Sequence, residues 1–364
     1  ADLPAGSSVV TMRIEGAAGV LKGVLRPEPR TVEWDAGQSA ASVEFFIDLP
    51  DELSADVALT AAVEPDALPA DDERHSMLSV RTAVRTLLLD RRRFGLETRI
   101  DELDAGEWLR RALAPMESSA VDVVEIEPGA VEMRDLRAAD VVLLPRPDLL
   151  DESGWSVLAR FVDGGGLLII TPPAELTVHA WTDAVRDELK MGWRIAREVE
   201  TADDSGVHDD ASRAGVDSAW TLAAEQPESG LLRLLVPELG GLASPVRVLK
   251  RLPVEVEGAA EVVLQFADGQ PFMVAGMLAR AATEANESTE GKNAGRPDRA
   301  ALPAARGMVV YLTVAPVLEW TNLPSKPLIV PLVQETVREG LSAIHATEPA
   351  VAGDMLPADA HKVA

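Results

Sequence analysis

The side chains best able to do chemistry are thinly spread along the chain. Five histidines, His75, His179, His208, His345 and His361, never form a His-x-x-x-His or His-Glu pair, so the ligand-plus-base arrangement of a zinc hydrolase is missing. There are no cysteines, which excludes thiolate nucleophiles, disulfides and Cys-based zinc or iron–sulfur sites. No metal and no cofactor are expected. The run Asp203-Asp204-Ser205-Gly206-Val207-His208-Asp209-Asp210 clusters carboxylates, but it lacks the spacing and terminal Glu of a calcium-binding hand and reads as a solvated acidic loop. Gly164-Gly165-Gly166 follows a helical pattern and precedes a strand pattern; a phosphate cradle has the reverse order, so helix termination is the better account. One segment has the composition of a recognition loop. Trp320, Thr321 and Asn322 set an aromatic beside polar groups after a strand, which makes them the candidate ligand contacts, with capping of the sheet edge as the competing role.

Bulk properties narrow the partners. The formal charge is −26, with 60 acidic against 34 basic residues. Binding a phosphate backbone needs clustered Lys and Arg, so nucleic acid is not an expected partner. Aromatic residues make up only 4% of the chain and hydrophobic ones 47%, which implies a core of small and branched aliphatics. No apolar run reaches the length of about 18–20 residues that spans a bilayer, and Ala1-Asp2-Leu3-Pro4 is not a signal peptide. The missing initiator Met reads as the mark of a fragment, with any membrane segments outside it.

Two kinds of periodicity divide the chain. Over residues 1–82, short segments with β-branched enrichment or alternation (Ser8 to Ile14, Gly19 to Leu25, Thr31 to Trp34, Ala41 to Leu49, Ala55 to Val63) are punctuated by Gly and Pro and predict a small all-β sandwich. From residue 83 the pattern becomes strand, helix, strand: Val84 to Leu89, a helix over Asp101 to Met116, Val121 to Ile126, Val141 to Leu144, a helix capped by Asp151, then Leu167 to Ile170. This alternation predicts an α/β domain on a parallel sheet over 83–346. A helix over Ala180 to Lys190, strands at Val246 to Leu252, Glu261 to Phe266, Phe272 to Ala275 and Met308 to Val314, and a helix over Leu332 to Ile344 complete it. Insertions are expected near 200–229 and 281–305, and a flexible tail over 347–364.

Several segments together carry a family likeness. Asp66 to Asp72, Phe161 to Leu168, Phe266 to Pro271 and Glu319 to Pro324 resemble the soluble region of membrane-anchored Bat-type (aerotolerance-related) proteins of planctomycete-like bacteria. The resemblance implies a β-sandwich followed by a degenerate class I glutamine-amidotransferase-like, flavodoxin-like domain. It also implies a periplasmic or extracytoplasmic location, other proteins of a membrane complex as partners, and membrane attachment only through segments absent from this chain. An active amidotransferase domain needs a Cys at a tight strand-to-helix elbow and a His near the end of a later strand. By that comparison Thr171, followed by Pro172 and Pro173, stands at the nucleophile position, and Ala315 at the base position. Both chemical halves are missing, so a non-catalytic scaffold or interaction module is expected. The alternatives are a divergent hydrolase or transferase using carboxylates at the C-terminal sheet edge, and a carbohydrate- or peptide-binding module whose exposed Trp residues, such as Trp181, Trp193 and Trp320, line a groove.

Overall fold

The computed structural model describes residues 4–16, 24–38, 41–50, 53, 55–65, 72–80, 83–91, 99–116, 119–202, 219–258, 260–278 and 307–345. They fall into two compact units, one within residues 1–82 and one over 83–345. The acidic run 203–210, the expected loop 281–305 and the expected tail 347–364 lie outside the described residues.

In the first unit β1 (Gly6–Gly16), β2 (Arg30–Trp34), β3 (Ala55–Val63) and β4 (Glu73–Val80) form one antiparallel sheet in the order β2-β1-β3-β4. Its register sets Met12 opposite Ala61, Ile14 opposite Leu59 and Val57 opposite Leu78, which gathers the apolar side chains on one face. Of the two sheets that the expected sandwich requires, the described residues of this unit form one. Residues 41–50 show why. Val43, Phe45, Ile47 and Leu49 are half-buried while Glu44, Phe46, Asp48 and Pro50 are exposed, yet the segment joins no strand ladder among the described residues. Ile47 and Leu49 pack toward Ile14 and Val57. An extended segment resting on a sheet has the same period of two as a strand within one, so alternation alone could not separate the cases. The segment Gly19 to Leu25 lies mostly outside the described residues; Leu25 exchanges two backbone hydrogen bonds with Ile14.

The second unit is mixed α/β. Its strands are β5 (Val84–Leu89), β6 (Val121–Ile126), β7 (Val141–Leu144), β8 (Leu167–Ile170), β9 (Trp193–Ile195), β10 (Glu200–Thr201), β11 (Lys250–Arg251), β12 (Val254–Val256), β13 (Glu261–Gln265), β14 (Pro271–Met277) and β15 (Met308–Leu312). Its helices are α1 (Ala105–Leu113), α2 (Met133–Leu136), α3 (Glu152–Asp163), α4 (Trp181–Ala184), which runs into a π-helical turn over Val185–Leu189, α5 (Val236–Ala243) and α6 (Ile329–His345). Seven strands form an open sheet in the order β13-β14-β15-β8-β7-β5-β6, and β9 with β12 and β10 with β11 make two-stranded ribbons. Leu87, Leu143 and Ile169 lie on the adjacent parallel strands β5, β7 and β8 and are all buried, as expected of residues in apolar strand stretches,.

Burial on both faces explains those runs. Leu88, Leu143, Ile169 and Val310 face α1, α5 and α6, whereas Leu89, Val142, Leu168 and Tyr311 face α2, α3 and α4. Asp151 caps α3 by accepting from the Gly154 N–H at 2.8 Å. Gly165, at φ +97°, turns the chain after α3 into β8,. At the start of β15, a Cβ on Gly307 would stand 1.9 Å from the Val162 carbonyl oxygen, so only glycine admits this strand beside α3.

The expected parallel sheet is present as five strands of a mixed sheet, in which β13 and β14 are antiparallel to their neighbours. A connection as short as Phe266 to Gln270, with Asp268-Gly269 at its tip and Gly269 at φ +84°, can only make a hairpin,. The strand expected over Val246 to Leu252 shrinks to Lys250–Arg251, with Val248 making single bridges to Trp220 and Thr321. The 200–229 segment is not wholly an exposed excursion: Leu222 is buried and bridges to Phe266. Among the described residues no helix is long and apolar enough to cross a membrane.

Candidate functional site

The five parallel strands are crossed in an order that creates a crevice. From β5 the chain moves to one side to make β6, then returns past β5 to make β7, β8 and finally β15. The connections leaving β5 and β7 therefore diverge, and the gap above their C-terminal ends is where open α/β sheets bind ligands. A cleft of about 320 Å³ occupies that gap. Asp90 and Arg91 enter it from the end of β5, Pro145 and Arg146 from β7, Glu175 from β8, and Glu319 from the segment after β15. Glu102 and Asp104 line it from the approach to α1.

Its electrostatics are set by carboxylates. Arg146 donates from Nε and Nη2 to the two oxygens of Asp148 at 2.9 and 2.8 Å, and from Nη1 to Glu175 at 3.3 Å. The hydrogen bonds to Asp148 hold the guanidinium above its ordinary pKa, against the cost of burial,. At the start of α1 the Asp104 carboxylate accepts from the Glu107 N–H at 2.8 Å. The Asp90 carboxylate packs so closely on this first turn that a Cβ at Gly106 would lie 2.0 Å from its Oδ2. The positive end of the helix thus faces two carboxylates of the chain itself, and an incoming phosphate finds no free helix terminus there. Five carboxylates and two guanidinium groups line the cleft, an arrangement suited to polar or cationic groups. Among the described residues no group of three His, Cys, Asp or Glu side chains is placed to hold a metal ion.

The positions singled out in the sequence are not assembled into this cleft. Thr171 follows β8 and is fully buried; its N–H donates to the Leu144 carbonyl at 3.2 Å and its hydroxyl has no partner among the described residues. Pro172 and Pro173 are buried too, and the chain stays non-helical until Trp181, so the strand-to-helix elbow of a nucleophile is not formed. Ala315 is buried beyond β15 and carries no proton acceptor. Trp320, Thr321 and Asn322 turn inward rather than toward a ligand. Trp320 is buried and its Nε1 donates to the Ala174 carbonyl at 3.1 Å. The Thr321 hydroxyl donates to the Arg247 carbonyl at 2.8 Å and accepts from the Leu323 N–H at 3.1 Å. Asn322 accepts from the Arg247 N–H at 2.7 Å and donates to the Pro245 carbonyl at 3.0 Å. The three residues brace two distant segments, the sheet-capping role, and their polar atoms are occupied. Trp181 and Trp193 are buried as well, so no groove of exposed Trp residues forms from these three.

Sequence reasoning missed two features. Asp90 and Arg146 each stand within two residues of the end of an apolar strand run, the signal of a residue delivered to the C-terminal sheet edge. His179 is fully buried, with Nδ1 accepting from Trp181 Nε1 at 3.0 Å. Burial holds its imidazole below the ordinary value, against the opposing charge of Asp148, so the ring is neutral with its proton on Nε2.

No protein-family model matches the chain, and no curated protein is similar to it in sequence. Among solved structures, it is similar to the cytoplasmic protein STM1381 from Salmonella typhimurium LT2, with 10% identity and a TM-score of 0.46, over 71% of this chain and 99% of that one. It is also similar to the mmIFT52 N-terminal domain, with 9% identity and a TM-score of 0.37, over 73% and 99%. A cold-adapted β-galactosidase from Rahnella sp. R3 matches with 16% identity and a TM-score of 0.40 over 73% of this chain; the alignment takes in about a third (32%) of the galactosidase. At these TM-scores no family follows from the likenesses.

Proposed function

We propose that this chain is a non-catalytic interaction module from the extracytoplasmic part of a membrane-anchored protein, and that its larger unit is a degenerate glutamine-amidotransferase-like domain. The parallel strand order, second-first-third-fourth-fifth along the chain, is the flavodoxin-like order and supports that reading of the fold,. One observation carries the functional part. The strand end where acyl transfer would need an exposed nucleophile instead holds a buried threonine sealed by two buried prolines, with a buried alanine at the base position. Acyl transfer needs an activated nucleophile, a base within hydrogen-bond reach and oxyanion donors. The Thr171 hydroxyl has no base among the described residues, and Pro172 and Pro173 have no N–H to offer an oxyanion.

The test is direct. The purified full chain is incubated with glutamine and, separately, with a p-nitrophenyl ester. Ammonia and nitrophenol are expected at the buffer rate, unchanged by Thr171→Ala. Glutamine-dependent ammonia release that Thr171→Ala abolishes refutes the reading. In membranes carrying the full-length protein, cross-linking is expected to join this domain to other membrane-complex proteins.

A second reading, a hydrolase or transferase working through carboxylates, draws on the cleft lined by Asp90, Glu102, Glu175 and Glu319. Ester turnover that survives Thr171→Ala but is lost in Glu319→Gln would favour it.

A further inference from the structure

A second cavity, of about 290 Å³, lies between the α4 segment and β9, apart from the cleft at the sheet edge. Thr182, Asp183 and Arg186 line it from the helix, and Arg194 and Arg197 from β9 and the turn that follows. Three guanidinium groups facing one carboxylate invert the balance of a chain with 60 acidic and 34 basic residues.

The backbone under these arginines is held by burial and hydrogen bonds. Trp193 and Ile195 are buried on either side of Arg194, the Ala196 N–H donates to the Pro253 carbonyl at 2.8 Å, and the Arg197 carbonyl accepts from the His179 N–H at 2.8 Å. On the opposite wall Thr182 is buried and its hydroxyl donates to the His179 carbonyl at 2.8 Å. Arg186 rides on the π-helical turn, which Lys190 ends in the left-handed region at φ +49°. Such turns are rare and occur frequently at functional sites.

The charges are only partly matched. Asp183 pairs with Arg197 and, at 3.2 Å, with Arg186, and Arg186 also pairs with Asp187 at 3.0 Å. Arg194 has no ion pair among the described residues, although Glu255 stands opposite it in the β9–β12 ladder. Pairs this exposed are weak and exchange readily for another anion. The lining therefore has two positive charges in excess, presented by planar forks that fit paired oxyanion oxygens.

We infer that this groove binds a small dianion, a sulfate or phosphate group, held by Arg194 and Arg197 while Asp183 remains on Arg186. The inference is independent of the function proposed above.

The experiment is calorimetric titration of the full chain with sodium sulfate, inorganic phosphate and phenyl phosphate, at an ionic strength held constant with sodium chloride. Saturable one-to-one binding of sulfate or phosphate is expected, weakened at least about tenfold in Arg194→Gln and in Arg197→Gln. Binding is expected to be unchanged in Arg233→Gln, which alters an exposed arginine elsewhere on the unit. Tighter binding of phenyl phosphate than of inorganic phosphate identifies a monoester as the ligand; the reverse identifies the free ion. Absence of saturation beyond the chloride control overturns the proposal, and so does wild-type affinity in Arg194→Gln. If Arg194→Gln does not reach the wild-type melting temperature, Arg197→Gln decides on the same terms.

Discussion

Replacing Thr321 by valine separates a structural brace from a ligand contact, because the two side chains have nearly the same shape and only the hydroxyl is lost. In the native protein that hydroxyl donates to the Arg247 carbonyl and accepts from the Leu323 N–H, at a residue with no exposed surface. The Arg247 carbonyl keeps a second partner, the Asn322 N–H at 3.1 Å, so its loss is that of an ordinary hydrogen bond, about 1 kcal/mol. The Leu323 N–H is left buried without an acceptor, which costs about 1–3 kcal/mol more. The total is about 2–4 kcal/mol, or a fall in Tm of roughly 4–16 °C for a unit of this size. Urea titration followed by tryptophan fluorescence reads this unit almost alone, since only Trp34 lies outside it. The midpoint should fall with the slope unchanged. Thr321→Ser keeps both hydrogen bonds and should cost only about 1 kcal/mol for the missing methyl. A Thr321→Val midpoint within about 0.5 kcal/mol of wild type would refute the brace, and so would equal damage from Ser and Val.

Two further outcomes follow from the packing. Because burial holds His179 below its ordinary value of 6.5, the unfolded chain takes up a proton that the folded one refuses. Stability from this residue is therefore complete above that value and declines as pH falls beneath it, until the folded ring itself titrates. The urea midpoint should be lower at about pH 5.5 than at about pH 7.5, and part of that difference should vanish in His179→Asn, whose side-chain oxygen can still accept from Trp181; identical pH dependence in the two proteins counts against the assignment. Gly307→Ala would put a methyl 1.9 Å from the Val162 carbonyl and is expected to destabilise by about 2–4 kcal/mol in the same titration, whereas a neutral result would show that β15 has room to shift.

The fold was legible in the sequence wherever periodicity and burial coincide. Leu87 to Leu89, Val141 to Leu144 and Leu167 to Ile170 are apolar without a break because helices cover both faces of the sheet, and beside turn signals runs this short read as buried strands. Pairing was harder to read. The alternation at Val43, Phe45 and Ile47 reports a segment with one wet side and is silent about which backbone its N–H groups meet. β9 and β12 escaped notice because three residues are too few to show a period. The site was less legible still. Trp320-Thr321-Asn322 has the composition of a recognition loop, but composition does not say which way a side chain points, and here the partners are carbonyls and an amide more than seventy positions away. Asp90 and Arg146 are ordinary charged residues until strand order brings them to one crevice.

The place of β15 has a consequence for how the chain acquires its structure. This strand is the last of the large sheet to be synthesised, yet it lies inside it, between β8 and β14. Until residues 308–312 leave the ribosome, β8 presents an open edge and the β13–β14 hairpin has no strand to join. The early strands β5 to β8 can pair with their short crossovers, but completion must await a contact closed over more than a hundred residues, since Leu167 meets Met308. Such late, non-local closure slows folding and leaves a bare edge exposed to other nascent chains. Truncation within the larger unit before Met308 should therefore leave that unit prone to aggregation and not folded as a smaller domain,.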